Sequence, residues 1–162
     1  MCPLWQVEND IILAVMKAWV QRVTEASVTI DDSIVGKIGN GYLVLLGVTH
    51  SDTEKCADEI AARLVKLRIF EDENGKTNKS ILDVNGSILL ISQFTLYADT
   101  EHGNRPGFSN AARPELAIPL YERVIAQLRL ALGENRVQTG RFGADMKVRL
   151  LNDGPFSVEL IA

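Results

Sequence analysis

ILLISQFTLYA, residues 88–98, is the stretch on which the reading of this fold turns. Four aliphatics, Ile88, Leu89, Leu90 and Ile91, run into Ser92, Gln93 and Thr95, and the apolar pattern then resumes. Side chains of a strand alternate between its faces. As one strand, the segment puts Gln93, Thr95 and Tyr97 on one side and Ser92, Phe94 and Leu96 on the other. A buried amide or hydroxyl costs about 1–3 kcal/mol unless it is paired. Three of them in a hydrophobic strand mark either a satisfied polar network or a site.

Upstream, residues 17–24 and 26–30 are rich in β-branched and aromatic side chains, as strands are. Arg22 falls inside the first of them and reads most simply as a solvent-facing strand charge. Asp31-Asp32 supplies a turn, residues 34–38 alternate, and Gly39-Asn40-Gly41 turns the chain again. Residues 42–48 are nearly all apolar, which predicts a central strand covered on both faces. Ser51 and Glu54 have capping-box spacing and predict a helix running to about Arg68. Its apolar stripe is Ala57, Ile60, Ala61, Leu64 and Leu67, with Glu59 and Arg63 spaced as an i,i+4 pair. Residues 71–78 read as a polar loop around Gly75, residues 80–84 as a short strand, and Asn85-Gly86 as the turn into the opening segment.

Downstream, residues 99–113 show no periodicity, and a loop of that length in a compact domain is usually functional or mobile. Pro114 opens a second helix that ends near Leu132-Gly133 and buries Leu116, Leu120, Val124, Leu128 and Ala131. Pro119 predicts a late start or a bend. Residues 137–143, 146–151 and 156–161 are strand material, with Asn152-Asp153-Gly154-Pro155 as a compact turn. Between Arg136 and Arg149 there are four basic residues and one acid, Asp145. This window is a solvated strand face or a phosphate-contacting patch.

The chain has 162 residues, 46% of them hydrophobic, which suits one globular domain with a real core. A net charge of −4 confines any nucleic-acid contact to a local basic patch. Two cysteines, Cys2 and Cys56, and two histidines, His50 and His102, make neither a disulfide framework nor a metal-type spacing. No metal or cofactor is expected, and a reduced, cytoplasmic setting is the simplest. Residues 1–15 carry no basic segment, and the apolar run 11–16 is too short for a signal peptide or a membrane span. They read as a dispensable extension or an upstream start, with a docking arm as the alternative. Residues 16–162 are then a single domain.

Standard constellations are scarce. No glycine loop matches a nucleotide-binding pattern. A hydroxyl nucleophile at Ser92 or Thr95 needs a base, and only His102 is near in sequence. The other possibility is a site with no side-chain nucleophile, in which backbone N–H groups hold an oxyanion and the substrate supplies a hydroxyl. Gly154-Pro155 is either an ordinary turn or one of the roughly 5–6% of X–Pro bonds that are cis.

Ser92-Gln93-Phe94-Thr95-Leu96 and Asn152-Asp153-Gly154-Pro155 resemble the two signature motifs of the D-aminoacyl-tRNA deacylases. Residues 139–146 (TGRFGADM), Arg105-Pro106, residues 108–112 and Gln21-Arg22-Val23 are similar to that family too. The likeness runs from Met16 to the C-terminus. It implies an α/β fold of three layers, β/β/α, with two barrel-like sheets and two main helices packed on one side. It implies a cytoplasmic homodimer with its site at the interface, hydrolysing D-aminoacyl-tRNA and mischarged glycyl-tRNA. Ser92, Gln93, Phe94 and Thr95 would then form the catalytic segment, with attack by water assisted by the RNA 2′-hydroxyl. Gly154 and Pro155, cis and inserted from the neighbouring subunit, would exclude L-amino acids, with Arg22 holding that peptide and Phe142 and Met146 also on the substrate side. Arg105, Arg113, Arg141 and Lys147 are candidate contacts to the tRNA phosphates. A Ser/Thr esterase using Thr95 with His102 is the alternative.

Overall fold

The computed structural model describes residues 15–162, so all of the extension but Val15 lies outside the described residues. Strands β1 (Lys17–Ile30), β2 (Ser33–Ile38) and β3 (Gly41–Gly47) lead into helix α1 (Glu54–Lys66). The hairpin β4 (Arg68–Glu71) and β5 (Thr77–Ser80) and then β6 (Ser87–Ser92) follow. A 3-10 turn (Phe94–Tyr97), helix α2 (Pro114–Leu132), a second 3-10 turn (Glu134–Arg136), β7 (Val137–Thr139) and β8 (Lys147–Ile161) complete the chain. Among the described residues no helix is long and apolar enough to cross a membrane.

Six strands form one mixed sheet in the order β2-β1-β3-β6-β7, with β8 on the other edge of β1. Strand β1 is long enough to serve two neighbours on one edge. Its first half pairs with β3 and its second with β2, while β8 runs antiparallel along the other edge. Contacts from β2 back to β6 and β7 nearly close the sheet into a barrel. Hairpin β4–β5 is a second, two-stranded sheet. Strands β3, β6 and β7 are parallel, and α1 and α2 lie in the crossovers between them.

The apolar runs of β3 and β6 follow from having a core on each face. Tyr42, Val44, Leu46, Ile88 and Leu90 pack with α1 and α2, while Leu43, Leu89 and Ile91 fill the barrel with Val23, Val28 and Ile38. Alternate residues of one strand thus enter different cores, and neither face tolerates a polar side chain. Each fully buried aliphatic contributes about 1.5–3 kcal/mol.

Several local expectations are corrected. Residues 17–30 are one strand, not two. Thr53 occupies the N-cap of α1 without a side-chain cap hydrogen bond, so the Ser51/Glu54 capping box does not set that terminus. Glu59 and Arg63 form no ion pair among the described residues, and Arg63 donates instead to the Ile161 carbonyl. Residues 81–85 are turn, and β5 lies earlier than expected, starting inside the segment read as loop and ending at Ser80. Helix α2 begins at Pro114 despite Pro119, and Ala131 is exposed while Leu132 is buried.

Candidate active site

The opening segment is not one strand. Strand β6 ends at Ser92, and Phe94–Tyr97 coil into a 3-10 turn. Tyr97 points inward, its hydroxyl donating to the Gly47 carbonyl at 3.2 Å and to the Val15 carbonyl. Gly47 makes room for that ring, since a Cβ there would sit 2.8 Å from it. Thr95 is exposed, and its hydroxyl accepts from the Gln93 amide. The leading N–H groups of a helical turn have no intrahelical acceptor. Backbone hydrogen bonds here use the N–H groups of Gln93, Leu96 and Ala98, and among the described residues those of Phe94 and Thr95 have no backbone partner.

This turn borders a cleft of about 290 Å³ at the carboxyl ends of the parallel strands, where ligands enter open α/β sheets. Leu46, Val48, Ile91, Ser92, Gln93 and Phe94 form one wall. Ala112 comes from the loop before α2, Ala117 and Tyr121 from its first turns, and Phe142, Asp145 and Met146 from the turn after β7. Tyr121 is tied to the Leu90 carbonyl at 2.8 Å, and burial raises its hydroxyl well above the usual tyrosine range. Phe142 meets the Tyr121 ring edge-on at 6.3 Å. Phe94, 56% exposed, makes an edge contact at 5.1 Å with Phe108 of the long loop. Phe108 and Ala112 lie in the 108–112 stretch that resembles the family, whereas Tyr121 carries no sequence signal in this role, because a helix stripe does not show what it faces.

The residues Asn152 to Pro155 do not separate two strands. Gln21 pairs with Ser157 and Val23 with Asn152, so residues 153–156 bulge out opposite Arg22 alone. The Asn152 side chain closes the bulge, accepting from the Phe156 N–H at 2.7 Å and donating to the Ser157 hydroxyl at 3.1 Å. The Gly154–Pro155 peptide is cis, and Gly154 has φ +147°. A Cβ on Gly154 would meet the Phe156 nitrogen at 2.8 Å.

Arg22 is not a solvent-facing charge: it is 7% exposed. Its guanidinium donates to the Asp153 carbonyl at 2.8 Å and the Ile69 carbonyl at 2.6 Å, and lies over the Phe156 ring at 4.8 Å. The bulge is therefore held from beneath by a planar multiple donor. Gly154 and Pro155 themselves are exposed and do not line the cleft of their own chain. The structure thus unites Ser92, Gln93, Phe94, Phe142 and Met146 at one place, and Arg22 with the bulge at another.

His102 lies in the exposed loop beside Asp99, 3.6 Å away, and Thr95 is bonded to Gln93 instead. Asp99, Glu101 and His102 have ligand atoms within 4.8 Å of one another, but none of the three lines the cleft. The basic window divides. Arg136 is structural, donating to the Gly86 and Ile81 carbonyls. Lys147 pairs with Asp145 at 3.0 Å. Arg105, Arg113 and Arg141 are exposed, the last two next in sequence to the cleft residues Ala112 and Phe142.

Comparison with known proteins places this arrangement in a class. Residues 19–161 match the family model described as D-Tyr-tRNA(Tyr) deacylase, and the chain belongs to that family. The D-aminoacyl-tRNA deacylase of Limosilactobacillus reuteri (strain DSM 20016) is 54% identical over 143 residues, 88% of this chain and 97% of that protein. The D-aminoacyl-tRNA deacylase of Symbiobacterium thermophilum is 53% identical over 144 residues, 89% of this chain and 94% of its own. Among solved structures, the c-Myc DNA Unwinding Element Binding Protein superposes with a TM-score of 0.84 at 43% identity, covering 89% of this chain and 97% of its own. A probable eukaryotic D-amino acid tRNA deacylase shares the fold, with a TM-score of 0.80 at 18% identity over 92% of this chain and all of its own.

Proposed function

We propose that this protein edits aminoacyl-tRNA, hydrolysing the ester between a D-amino acid and the terminal adenosine, and glycyl esters as well. The observation that carries the reading is a cleft in a family-matched fold where, among the described residues, the Phe94 and Thr95 N–H groups have no backbone partner and the Thr95 hydroxyl is bonded to Gln93 rather than to a histidine. Water adds to the ester carbonyl, and the Phe94 and Thr95 N–H groups receive the charge that develops on its oxygen. The carbon–oxygen bond to the 3′-oxygen then breaks, that oxygen takes the proton lost by the water, and the neighbouring 2′-hydroxyl assists. No covalent enzyme intermediate forms. The Gln93–Thr95 pair and Ser92 hold the turn in place rather than attack.

Chirality is decided by the bulge. Gly154 and Pro155 are exposed and do not line the cleft of their own chain, which fits a homodimer in which each bulge enters the other subunit's cleft. There the bulge leaves room for a hydrogen on one side of the α-carbon and none for a side chain. Arg105, Arg113 and Arg141 meet the phosphates of the acceptor end, which positions RNA without reading its sequence. The setting is cytoplasmic, where charged tRNA is found.

Two measurements test this. D-Tyr-tRNA ending in 2′-deoxyadenosine should be hydrolysed at least about 10²-fold more slowly than the normal ester, and equal rates contradict 2′-hydroxyl assistance. Mixing a variant inactive in the 3-10 turn with one inactive in the bulge should restore activity, because one site of the mixed dimer is intact. Failure to restore it in demonstrated mixed dimers rejects the shared site.

A further inference from the structure

Outside the cleft, the barrel gathers positive charge on its outer face. Over its second half β1 lies between β2 and β8, and the register lines up residues of all three strands in rows. Ser27 pairs with Lys37 on one side and with Arg149 on the other. In the next row of the same face, Thr29 pairs with Ile34 and with Lys147. Alternation separates these residues from their neighbours. Ala26 and Val28 belong to the barrel core, and Val148 and Leu150 pack against it, whereas Lys37, Lys147 and Arg149 are exposed. Glu25, Ser27, Ile34, Lys37 and Arg149 surround a hollow of about 160 Å³ on this outer face.

The spacing follows from sheet geometry. Adjacent strands are about 4.8 Å apart, and residues two apart on a strand about 6.8 Å. The Lys37 and Arg149 backbones are therefore about 10 Å apart with Ser27 between them, and Lys147 lies about 7 Å further along β8. Lysine, arginine, serine and threonine are the side chains that contact phosphate oxygens. A chain of net charge −4 does not attract a polyanion as a whole, so three cations on a face with one acid, Glu25, form a local exception. Single-stranded nucleic acid is held by stacking its bases on aromatic rings, and neither row contains an aromatic residue. The face therefore suits a paired backbone, met through its charge and not its bases.

This face is also the reverse side of the cleft wall. Met146 and Val148 line the cleft, and Lys147 and Arg149 alternate with them along the chain. Lys147 is engaged with Asp145 at 3.0 Å, and an exposed pair of that kind is weak enough to be exchanged for a phosphate.

We propose that the Lys37–Ser27–Arg149 row, with Thr29 and Lys147 beside it, is a docking face for the paired acceptor stem of the tRNA whose 3′ end lies in the cleft. The inference rests on the editing function proposed above and adds a second RNA contact to it. Arg105, Arg113 and Arg141 serve the terminal nucleotides, and this face serves the stem behind them.

The test measures kcat/KM over a salt series for D-Tyr-tRNA and for D-tyrosyl-adenosine, the same ester without phosphates. Wild type is compared with the double variant Lys37→Ala/Arg149→Ala. On D-Tyr-tRNA the variant should lose about tenfold at low salt, chiefly through KM, and the slope of log kcat/KM against log salt should fall by about 1–2. On D-tyrosyl-adenosine it should match wild type at every salt. Glu25→Gln, which removes the acid from the same face, should lower KM for D-Tyr-tRNA, a change that no loss of folding mimics, and it decides if the double variant does not fold. An unchanged slope, or an equal loss on both esters, overturns the proposal. So does altered sedimentation of the double variant, which would mark the face as a contact between copies of this chain. If wild type hydrolyses neither ester, it is the editing function that fails. The docking face is then judged by the binding of uncharged tRNA, where the same fall in slope supports it and an unchanged slope overturns it.

Discussion

At the scale of single residues, Arg22 carries the largest structural load for its size. It satisfies two carbonyls from different parts of the chain, at Asp153 and Ile69. Arg22→Ala leaves both without their donor, at about 1–3 kcal/mol for each buried group. It should lower the thermal midpoint and, by loosening the bulge, reduce kcat/KM on D-Tyr-tRNA by about 10²-fold. Arg22→Lys cannot reach both carbonyls in the same plane and should recover little activity. Gly154→Ala forces a Cβ against the Phe156 nitrogen, 2.8 Å away. A strained backbone position costs about 1–3 kcal/mol, so that variant should stay folded by circular dichroism while losing deacylation. Thr95→Ala and His102→Ala should each keep activity within about tenfold of wild type, whereas a Thr–His esterase loses about 10⁴-fold or more with either change. Gly154, Pro155 and Thr95 were all legible as special in the sequence. The burial of Arg22 was not, because a lone arginine in a strand gives no sign of which carbonyls lie beneath it.

At the scale of elements, apolar pattern located β3, β6 and both helices, since a strand with a core on each face leaves an uninterrupted run. The same pattern misled at the end of β6. In the residues 93–97 polar and apolar side chains keep alternating although the backbone has turned, and a single 3-10 turn is too short to impose a period of its own. Strand β5 (Thr77–Ser80) has no fully buried residue and so left no hydrophobic trace. The turn chemistry of residues 152–155 was real, but β1 pairs with β8 on both sides of it, which makes it a bulge in one strand. A prediction at this scale concerns the tie between α2 and β6. Tyr121→Phe removes the hydroxyl bonded to the Leu90 carbonyl, and urea denaturation should show a loss of about 1 kcal/mol with an unchanged slope.

At the scale of the whole molecule, stability should depend on pH in two opposing ways. Asp58 is held below the usual carboxylate range by its hydrogen bonds to Arg123, which join α1 to α2 at 2.7 and 2.8 Å. Stabilisation from a lowered carboxyl is present above pH 4 and lost as the pH falls through its folded value. Asp52 runs the other way. Burial raises it to about 6, so the folded chain holds a proton that the unfolded chain has released, and stability declines as the pH rises from about 4 through 6. The decline is on the order of 2–3 kcal/mol at most. A series of thermal midpoints should show this upper limb, and Asp52→Asn should flatten it while leaving the acid limb in place. The same scale holds the proposed function, in which the cleft of one subunit and the bulge of another act together in a homodimer. The most direct test compares kcat/KM for D-Tyr-tRNA and L-Tyr-tRNA under identical conditions. A preference for the D-ester of at least about 10³-fold, worth about 4 kcal/mol at the transition state, is the predicted result, and equal rates or no hydrolysis of either would contradict it.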